Sequence, residues 1–128
     1  MGSFSDYMEN KVIDHMLRNQ SFTPPSTLYV ALYTVSPSDS GGGTEVSGGS
    51  YARQTVTLSA ASGGSTSNSA DVTFPTATAD WGTIVAVGIL DNSSGGNLLA
   101  WGGLSTSKTV NNGDQFKIPA GNLTISVD

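Results

Sequence analysis

The chain has 128 residues, no cysteine, and a net charge of −5 that comes from ten acidic and five basic residues. The basic residues are scattered along the sequence, so no clustered basic face is available for the phosphates of a nucleic acid. The absence of cysteine excludes disulfides, thiolate metal sites and cysteine nucleophiles.

Charged residues make up only 12% of the chain, about half of the usual share. Neutral Ser, Thr, Asn and Gly must therefore cover much of the surface, and burying neutral polar groups costs less free energy than burying ions. We expect this surface to contact copies of the chain or a larger assembly. No apolar run approaches the roughly 18 residues of a membrane-spanning helix, and no secretory signal peptide is expected.

Near the N-terminus, residues 5–19 predict an amphipathic helix. Its apolar side chains recur at a helical spacing and are predicted to face a core; they are Met8, Val12, His15 or Met16, and Leu17. Ser3 or Ser5 is a candidate N-cap, and Pro24 and Pro25 turn the chain into extended conformation. A helix of this length is marginal alone in water, so it must dock on the rest of the chain or on a partner.

From residue 27 onward the periodicity is that of short β-strands between turn signals. The predicted strands are 28–35, 51–60, 70–74, 83–90, 97–101, 115–118 and 123–127, with loops at 36–50 and 61–69. Gly88 is expected to allow a bulge or a close contact. The pattern predicts a mainly β fold, namely an antiparallel β-sandwich or jelly-roll-like domain with one N-terminal α-helix. We expect one domain over residues 1–128, with the helix in 1–20 and the sandwich in 26–128.

Few residues are suited to catalysis or to metal binding. His15 is the only histidine; because it neighbours the apolar stripe, we interpret it as a packed or interface residue whose protonation could weaken a contact at acidic pH. The acidic residues are scattered, and Asp91 and Asp114 are typical turn residues. A calcium ion between loops remains an alternative, with ligands from Asp39, Glu45 or Asp91. We expect no enzymatic activity, no metal and no cofactor.

The sequence leaves two roles open for a set of aromatic side chains and two kinds of partner open for one arginine. Five aromatic residues could form a platform that stacks against a sugar, but packing in a core or a subunit interface is favoured; they are Tyr29, Tyr33, Tyr51, Trp81 and Trp101. Arg53 lies inside a predicted strand and needs a carboxylate partner, either within the domain or across a subunit contact.

Five segments are informative in combination: Leu28-Tyr29-Val30-Ala31-Leu32-Tyr33-Thr34, Gly48-Gly49-Ser50-Tyr51-Ala52-Arg53-Gln54, Val72-Thr73-Phe74-Pro75, Trp81-Gly82 and Gly88-Ile89-Leu90-Asp91. Together they resemble a family of small structural proteins of tailed bacteriophages, whose members commonly carry the label tail fibre or minor structural protein. The resemblance spans nearly the whole chain. It implies a component of a bacteriophage virion, assembled in the cytoplasm of the bacterial host.

We therefore predict a non-enzymatic virion protein that forms a homo-oligomer, expected to be a homotrimer, and binds the outside of the capsid as a decoration or cement protein. The alternatives are a tail fibre or minor tail component and, from another class, a carbohydrate-binding module that uses Trp81 and Trp101. The partners would be the chain itself and capsid or tail proteins, with no nucleic acid and no membrane. The candidate interface residues are Tyr7, Met8, Val12, His15, Arg53, Trp81 and Trp101.

Overall fold

A computed structural model describes residues 3–127 of the chain and shows a mainly β protein with one helix. The elements are β1 (Ser3–Phe4), α1 (Asp6–Leu17), β2 (Leu28–Val35), β3 (Thr44–Glu45), β4 (Gln54–Val56), β5 (Ser65–Ser67), β6 (Val72–Thr73), β7 (Gly82–Leu90), β8 (Leu98–Val110), β9 (Lys117–Ile118) and β10 (Thr124–Ser126). The helix among these residues is not long and apolar enough to cross a bilayer.

One large antiparallel sheet and two small ladders form the two layers of a sandwich. The large sheet has the order β1-β8-β7-β2-β3, and β4 pairs with the other half of the β2 edge. The small ladders pair β5 with β10 and β6 with β9, both antiparallel. The predicted fold class is confirmed: this is an antiparallel β-sandwich with an N-terminal α-helix.

The main core lies between the large sheet and the small ladders. Val30, Leu32, Val87 and Ile89 belong to the large sheet, and the facing side chains come from the segments around the small ladders; these are Phe74, Phe116, Ile118, Leu123 and Ile125. The opposite face of the large sheet carries a smaller cluster of Ala31, Tyr33, Ala86 and Leu90. β2 and β7 thus bury side chains on both faces, which explains why both were visible as continuous hydrophobic runs.

Several of the predicted strand boundaries were wrong. Each of the strands concerned is short and is defined by its hydrogen bonds to a partner strand. The strand predicted at 51–60 contracts to β4, so that Arg53 precedes the strand instead of lying in it. The predicted loops at 36–50 and 61–69 contain β3 and β5. Strands of two or three residues are too short to show a period of two, so only their pairing identifies them.

Strand β8 extends much further than the predicted 97–101. Its second half, 102–110, is rich in Gly, Ser and Thr and shows no hydrophobic alternation, but it continues the pairing with β7. The register shifts between the pairs Ile84↔Lys108 and Ala86↔Gly103. This irregularity leaves more residues on β8 than on β7 between those two pairs, as in a large bulge.

The helix required a larger correction. Ser5 is its N-cap, since its Oγ accepts a hydrogen bond of 3.2 Å from the Met8 N–H. No residue of α1 is buried, so the predicted apolar stripe does not face a core. The reason is the preceding strand β1, missed in the sequence, which pairs Ser3 with Trp101 and Phe4 with Ala100. This pairing attaches the start of α1 to the edge of the sheet and leaves the end of the helix in solvent.

Candidate functional site

Arg53 is the centre of a hydrogen-bond network that joins distant segments. Its Nε and Nη2 donate to the two carboxylate oxygens of Glu45 at 2.9 Å each. Its Nη1 donates to the carbonyl oxygens of Asn92 and Gly95 at 2.8 Å each. The carboxylate partner that Arg53 needs therefore lies within the chain, and the guanidinium also binds the loop at 91–97.

Tyr51 completes this network and fixes its charge state. Its hydroxyl donates to Glu45 Oε2 at 2.6 Å and accepts from the Leu32 N–H at 3.0 Å. Burial alone would raise the pKa of the Glu45 carboxyl, but the hydrogen bonds from Arg53 and Tyr51 outweigh it and hold that pKa below its usual range. Burial and the bond to Glu45 raise the pKa of Tyr51. Near neutral pH the network is thus a permanent ion pair with a neutral phenol.

Trp81 belongs to the core. Its side chain is 5% exposed, and its Nε1 donates to the Gly49 carbonyl at 2.9 Å. The Tyr51 ring meets Trp81 edge-on at 5.4 Å between centroids and stacks parallel to Phe74 at 6.1 Å. Trp81 and Tyr51 therefore pack against each other and Phe74, and their rings do not form an open platform.

Trp101 is half-buried on β8 and supports a turn of the loop at 36–50. Its Nε1 donates to Asp39 Oδ1 at 2.9 Å. The same turn is bound to the start of α1, since the Asp6 N–H donates to the Asp39 carbonyl at 2.9 Å. Asp39 therefore connects the helix, the turn at 38–42 and β8.

A groove of about 590 Å³ opens on the outer face of the large sheet, away from the main core, and we call it the outer groove. Its floor is formed by Tyr33, Leu90 and Leu98, which belong to the smaller cluster or pack against it. One wall combines the start of α1 with the turn at 38–42, and the other is the loop at 95–97 with Arg53. Because Gly88 has no side chain, Tyr33 and Leu98 can pack against its backbone. An added Cβ at this position would lie 2.9 Å from an atom of each.

The outer groove is lined by a tyrosine, two aspartates and an asparagine. Tyr33 is 5% exposed, and its hydroxyl makes no hydrogen bond to any residue in 3–127, while burial raises its pKa. Asp6 and Asp39 contribute carboxylates to the lining, and Asn97 contributes an amide. Asn97 is itself held by Asp91, which accepts from its backbone N–H at 2.7 Å and from its Nδ2 at 3.0 Å.

The end of α1 presents an apolar surface that we call the helix patch, formed by Ile13, Met16 and Leu17. These side chains are 49%, 69% and 80% exposed. Ile13 also lines a cavity of about 380 Å³ with Phe4 and the 56%-exposed Val127, so the apolar surface continues from the helix onto the end of the chain.

The seven candidate interface residues do not form one surface. Tyr7 and Arg53 line the outer groove, and Val12 lines the cavity beside the helix patch. Met8 is half-buried, and His15 is exposed, with its Nδ1 3.0 Å from the Gln20 carbonyl oxygen.

Three residues of the outer groove were not identified as a site from the sequence. Tyr33 was assigned to a platform or to packing, Asp39 was considered only as a calcium ligand, and Asn97 was assigned to a strand. Within residues 3–127 no three His, Asp or Glu side chains converge as metal ligands would. The residues of this groove come from six separate stretches of the chain, namely 6–7, 33, 39–42, 53, 90 and 95–98, and no spacing in the sequence relates them.

Two comparisons with known proteins bear on this site and fold. A protein-family model described as Podophage GP4 fiber I protein gp80 matches residues 3–126. No curated protein matches the chain. The family match covers both layers of the sandwich, the helix and every residue of the outer groove.

Proposed function

This chain belongs to the family of the Podophage GP4 fiber I protein gp80, and from that premise we propose that it is a non-enzymatic subunit of a tail fibre. Membership makes it a bacteriophage structural protein associated with the virion. The observation that carries the finer proposal is the extent of the match, which spans residues 3–126 and so relates the whole fold to a fibre protein. The capsid decoration that the sequence analysis placed first has no comparable support, since the family description speaks of a fibre.

Assembly with copies of itself is part of the proposal. The helix patch exposes three large apolar side chains on one short helix, and contiguous apolar surface on a structural protein commonly marks a contact with another chain. The sparse charge of the sequence lowers the desolvation cost around such a contact. We propose a homo-oligomer, with the trimer retained as the expected state, and attachment to other virion proteins.

The hydrogen bonding of Glu45 and Arg53 also agrees with a structural function. Glu45 and Arg53 hold each other in a bidentate pair, and their remaining bonds go to Tyr51 and to backbone carbonyls. Groups bound in this way stabilise segments and do not transfer protons near neutral pH.

Labelling of virions tests the location. Gold-labelled antibodies against the chain should decorate the tail in electron micrographs, and quantitative gels of purified particles should show far fewer copies than of the major capsid protein. Particles lacking the gene serve as the control for antibody specificity. Label spread over the capsid, at a copy number comparable with that of the major capsid protein, would contradict the fibre and favour a decoration protein.

A further inference from the structure

We propose that the outer groove is a binding site for a neutral, hydroxyl-rich ligand, that is, a saccharide. The proposal goes beyond the structural function and depends on the groove alone, so it holds wherever the chain lies on the particle. Four features carry it: an accessible tyrosine hydroxyl with no hydrogen-bond partner among the described residues, fixed walls, the sign of the charge and an apolar floor.

The hydroxyl of Tyr33 is the first feature. Buried polar side chains are normally hydrogen-bonded, and no fully enclosed side-chain nitrogen or oxygen within residues 3–127 lacks a partner. Tyr33 is only 5% exposed, and its hydroxyl has no hydrogen-bond partner within residues 3–127. Because it is not among the fully enclosed atoms, the hydroxyl is accessible where Tyr33 lines the outer groove. It therefore keeps one donor and its acceptor capacity for a group that enters the groove.

The walls of the groove are held in place before any ligand binds. Arg53 fixes one side through the carbonyls of Asn92 and Gly95, and Asp91 fixes Asn97 beside them. On the other side, Asp39 is bonded to Trp101 and its turn is bonded to the start of α1. A site assembled in this way loses little conformational entropy on binding, which is the usual origin of affinity in a preorganised pocket.

The charge in the groove selects against anions. Asp6 and Asp39 line it, while the guanidinium of Arg53 is already neutralised by Glu45. Carboxylates accept hydrogen bonds and repel negative groups, whereas the hydroxyl groups of a sugar can donate to them and also accept from the Tyr33 phenol. A neutral polyol therefore satisfies both kinds of group at once.

The floor supplies the apolar part of recognition. Tyr7, Leu90 and Leu98 line the groove beside the Tyr33 ring. The C–H faces of a pyranose can pack on such a surface while its hydroxyl groups reach the polar rim. The volume of about 590 Å³ falls within the range of ligand pockets in proteins.

Saturation-transfer-difference NMR on the full chain tests the proposal, with D-glucose, D-galactose, L-rhamnose, N-acetyl-D-glucosamine and their short oligosaccharides as individual probes. We expect saturation transfer to at least one neutral sugar. Tyr33→Phe and Asp39→Asn should each weaken its binding about tenfold, the effect of one lost hydrogen bond. D-glucuronate should bind more weakly than D-glucose because its carboxylate meets Asp6 and Asp39.

Tyr29→Phe and Asp14→Asn are the matched controls. Tyr29 is in the same strand as Tyr33 but does not line the groove, and Asp14 lies near the end of the helix. Both should bind as the unaltered chain does. Tyr33→Phe removes a hydroxyl that has no hydrogen-bond partner within residues 3–127, so the melting temperature of this variant should not change. It keeps the test valid even if Asp39→Asn loosens the turn at 38–42. Absence of transfer to every probe, equal binding by Tyr33→Phe, or a preference for D-glucuronate would each overturn the proposal.

Discussion

Arg53 shows how one side chain can tie together three segments that are distant in the sequence. The guanidinium spans Glu45 on β3, the segment before β4 and the loop at 91–97. Its side chain is 9% exposed and that of Glu45 is 26% exposed, so removing either partner leaves a charge in a largely dehydrated position. The network therefore acts as a cross-link that shapes one wall of the outer groove.

Replacement of Glu45 by its neutral isostere should reveal this cross-link. We expect Glu45→Gln to lower the free energy of unfolding by about 2 kcal/mol, because the Arg53 charge loses its carboxylate partner. Urea unfolding followed by tryptophan fluorescence measures the change. Glu9→Gln is the control, since Glu9 is exposed in the first turn of α1 and should cost less than about 1 kcal/mol. Equal losses in the two variants would show that the Arg53 pair contributes nothing particular.

The carboxylate of Glu45 should also make the stability of the fold depend on pH in the acidic range. Against the opposing effect of burial, the hydrogen bonds from Arg53 and Tyr51 hold the pKa of Glu45 below its ordinary value in the folded chain, so the unfolded chain takes up the proton first as the pH falls. The stability that Glu45 supplies is complete above its unfolded pKa of about 4.3 and is lost as the pH falls through the lower folded pKa. Melting temperatures of the unaltered chain and of Glu45→Gln should therefore converge below about pH 4. A difference that stays constant from pH 7 to pH 3 would contradict this assignment.

Strand β7 determines how closely the outer face of the large sheet can pack. It pairs with β2 on one side and with β8 on the other, and Gly88 in its middle lies opposite Ala31 and Trp101. The backbone at Gly88 is extended and does not require glycine for its torsion angles. The requirement is spatial, since Tyr33 and Leu98 occupy the volume where a Cβ would lie.

A pair of alanine substitutions separates this spatial requirement from a general effect of glycine. Gly88→Ala should lower the free energy of unfolding by about 1–3 kcal/mol through overpacking, and it should also displace Tyr33 in the outer groove. Gly103→Ala on the neighbouring strand is the control, because the nearest atom to its added Cβ is 3.8 Å away, and its effect should stay within about 0.5 kcal/mol. Thermal unfolding measures both, and a Gly88→Ala variant as stable as Gly103→Ala would exclude the close contact.

The whole molecule presents two different surfaces to its surroundings. The outer groove is a polar concavity with fixed walls, whereas the helix patch is apolar and lies at the free end of α1. The core itself is closed between the layers, with Phe74 1% exposed and in edge-on contact with Phe116 at 5.8 Å. The contacts that we propose with other molecules therefore involve these surfaces and need no rearrangement of the sandwich.

Charge placed in the helix patch should prevent self-association. We expect the unaltered chain to form an oligomer in analytical ultracentrifugation, and the double variant Met16→Lys, Leu17→Lys to sediment as a smaller species because lysine must be desolvated at the contact. Ala60→Lys, Ala61→Lys adds the same charge at two other exposed positions and should leave the mass unchanged. A monomeric unaltered chain, or an oligomer that persists in the helix-patch variant, would contradict the proposed contact. Deletion of the first 20 residues is less informative, since it also removes β1 from the sheet.

The sequence by itself determined the class of the fold and the elements that are hydrophobic on both faces. β2 and β7 bury side chains on each side, so their runs of apolar residues were sufficient to identify them. The N-terminal helix was identified from its spacing and its cap, and the partner of Arg53 was expected from the cost of an isolated buried guanidinium. The combination of motifs also resembles a family of phage structural proteins, in agreement with the family match over residues 3–126.

Only the tertiary structure decided which surfaces are free. The stripe on α1 has the spacing of a core-facing helix, but the two-residue strand β1 attaches the helix to the edge of the sheet. Met8 and Val12 are therefore only half-buried, and the end of the stripe is exposed. Trp81 precedes β7 and is hydrogen-bonded inside the core, whereas Tyr33 lies in β2 and its hydroxyl at the outer groove has no hydrogen-bond partner among the described residues. Local periodicity reports how a segment can bury its side chains, whereas pairing between distant segments determines what actually covers them.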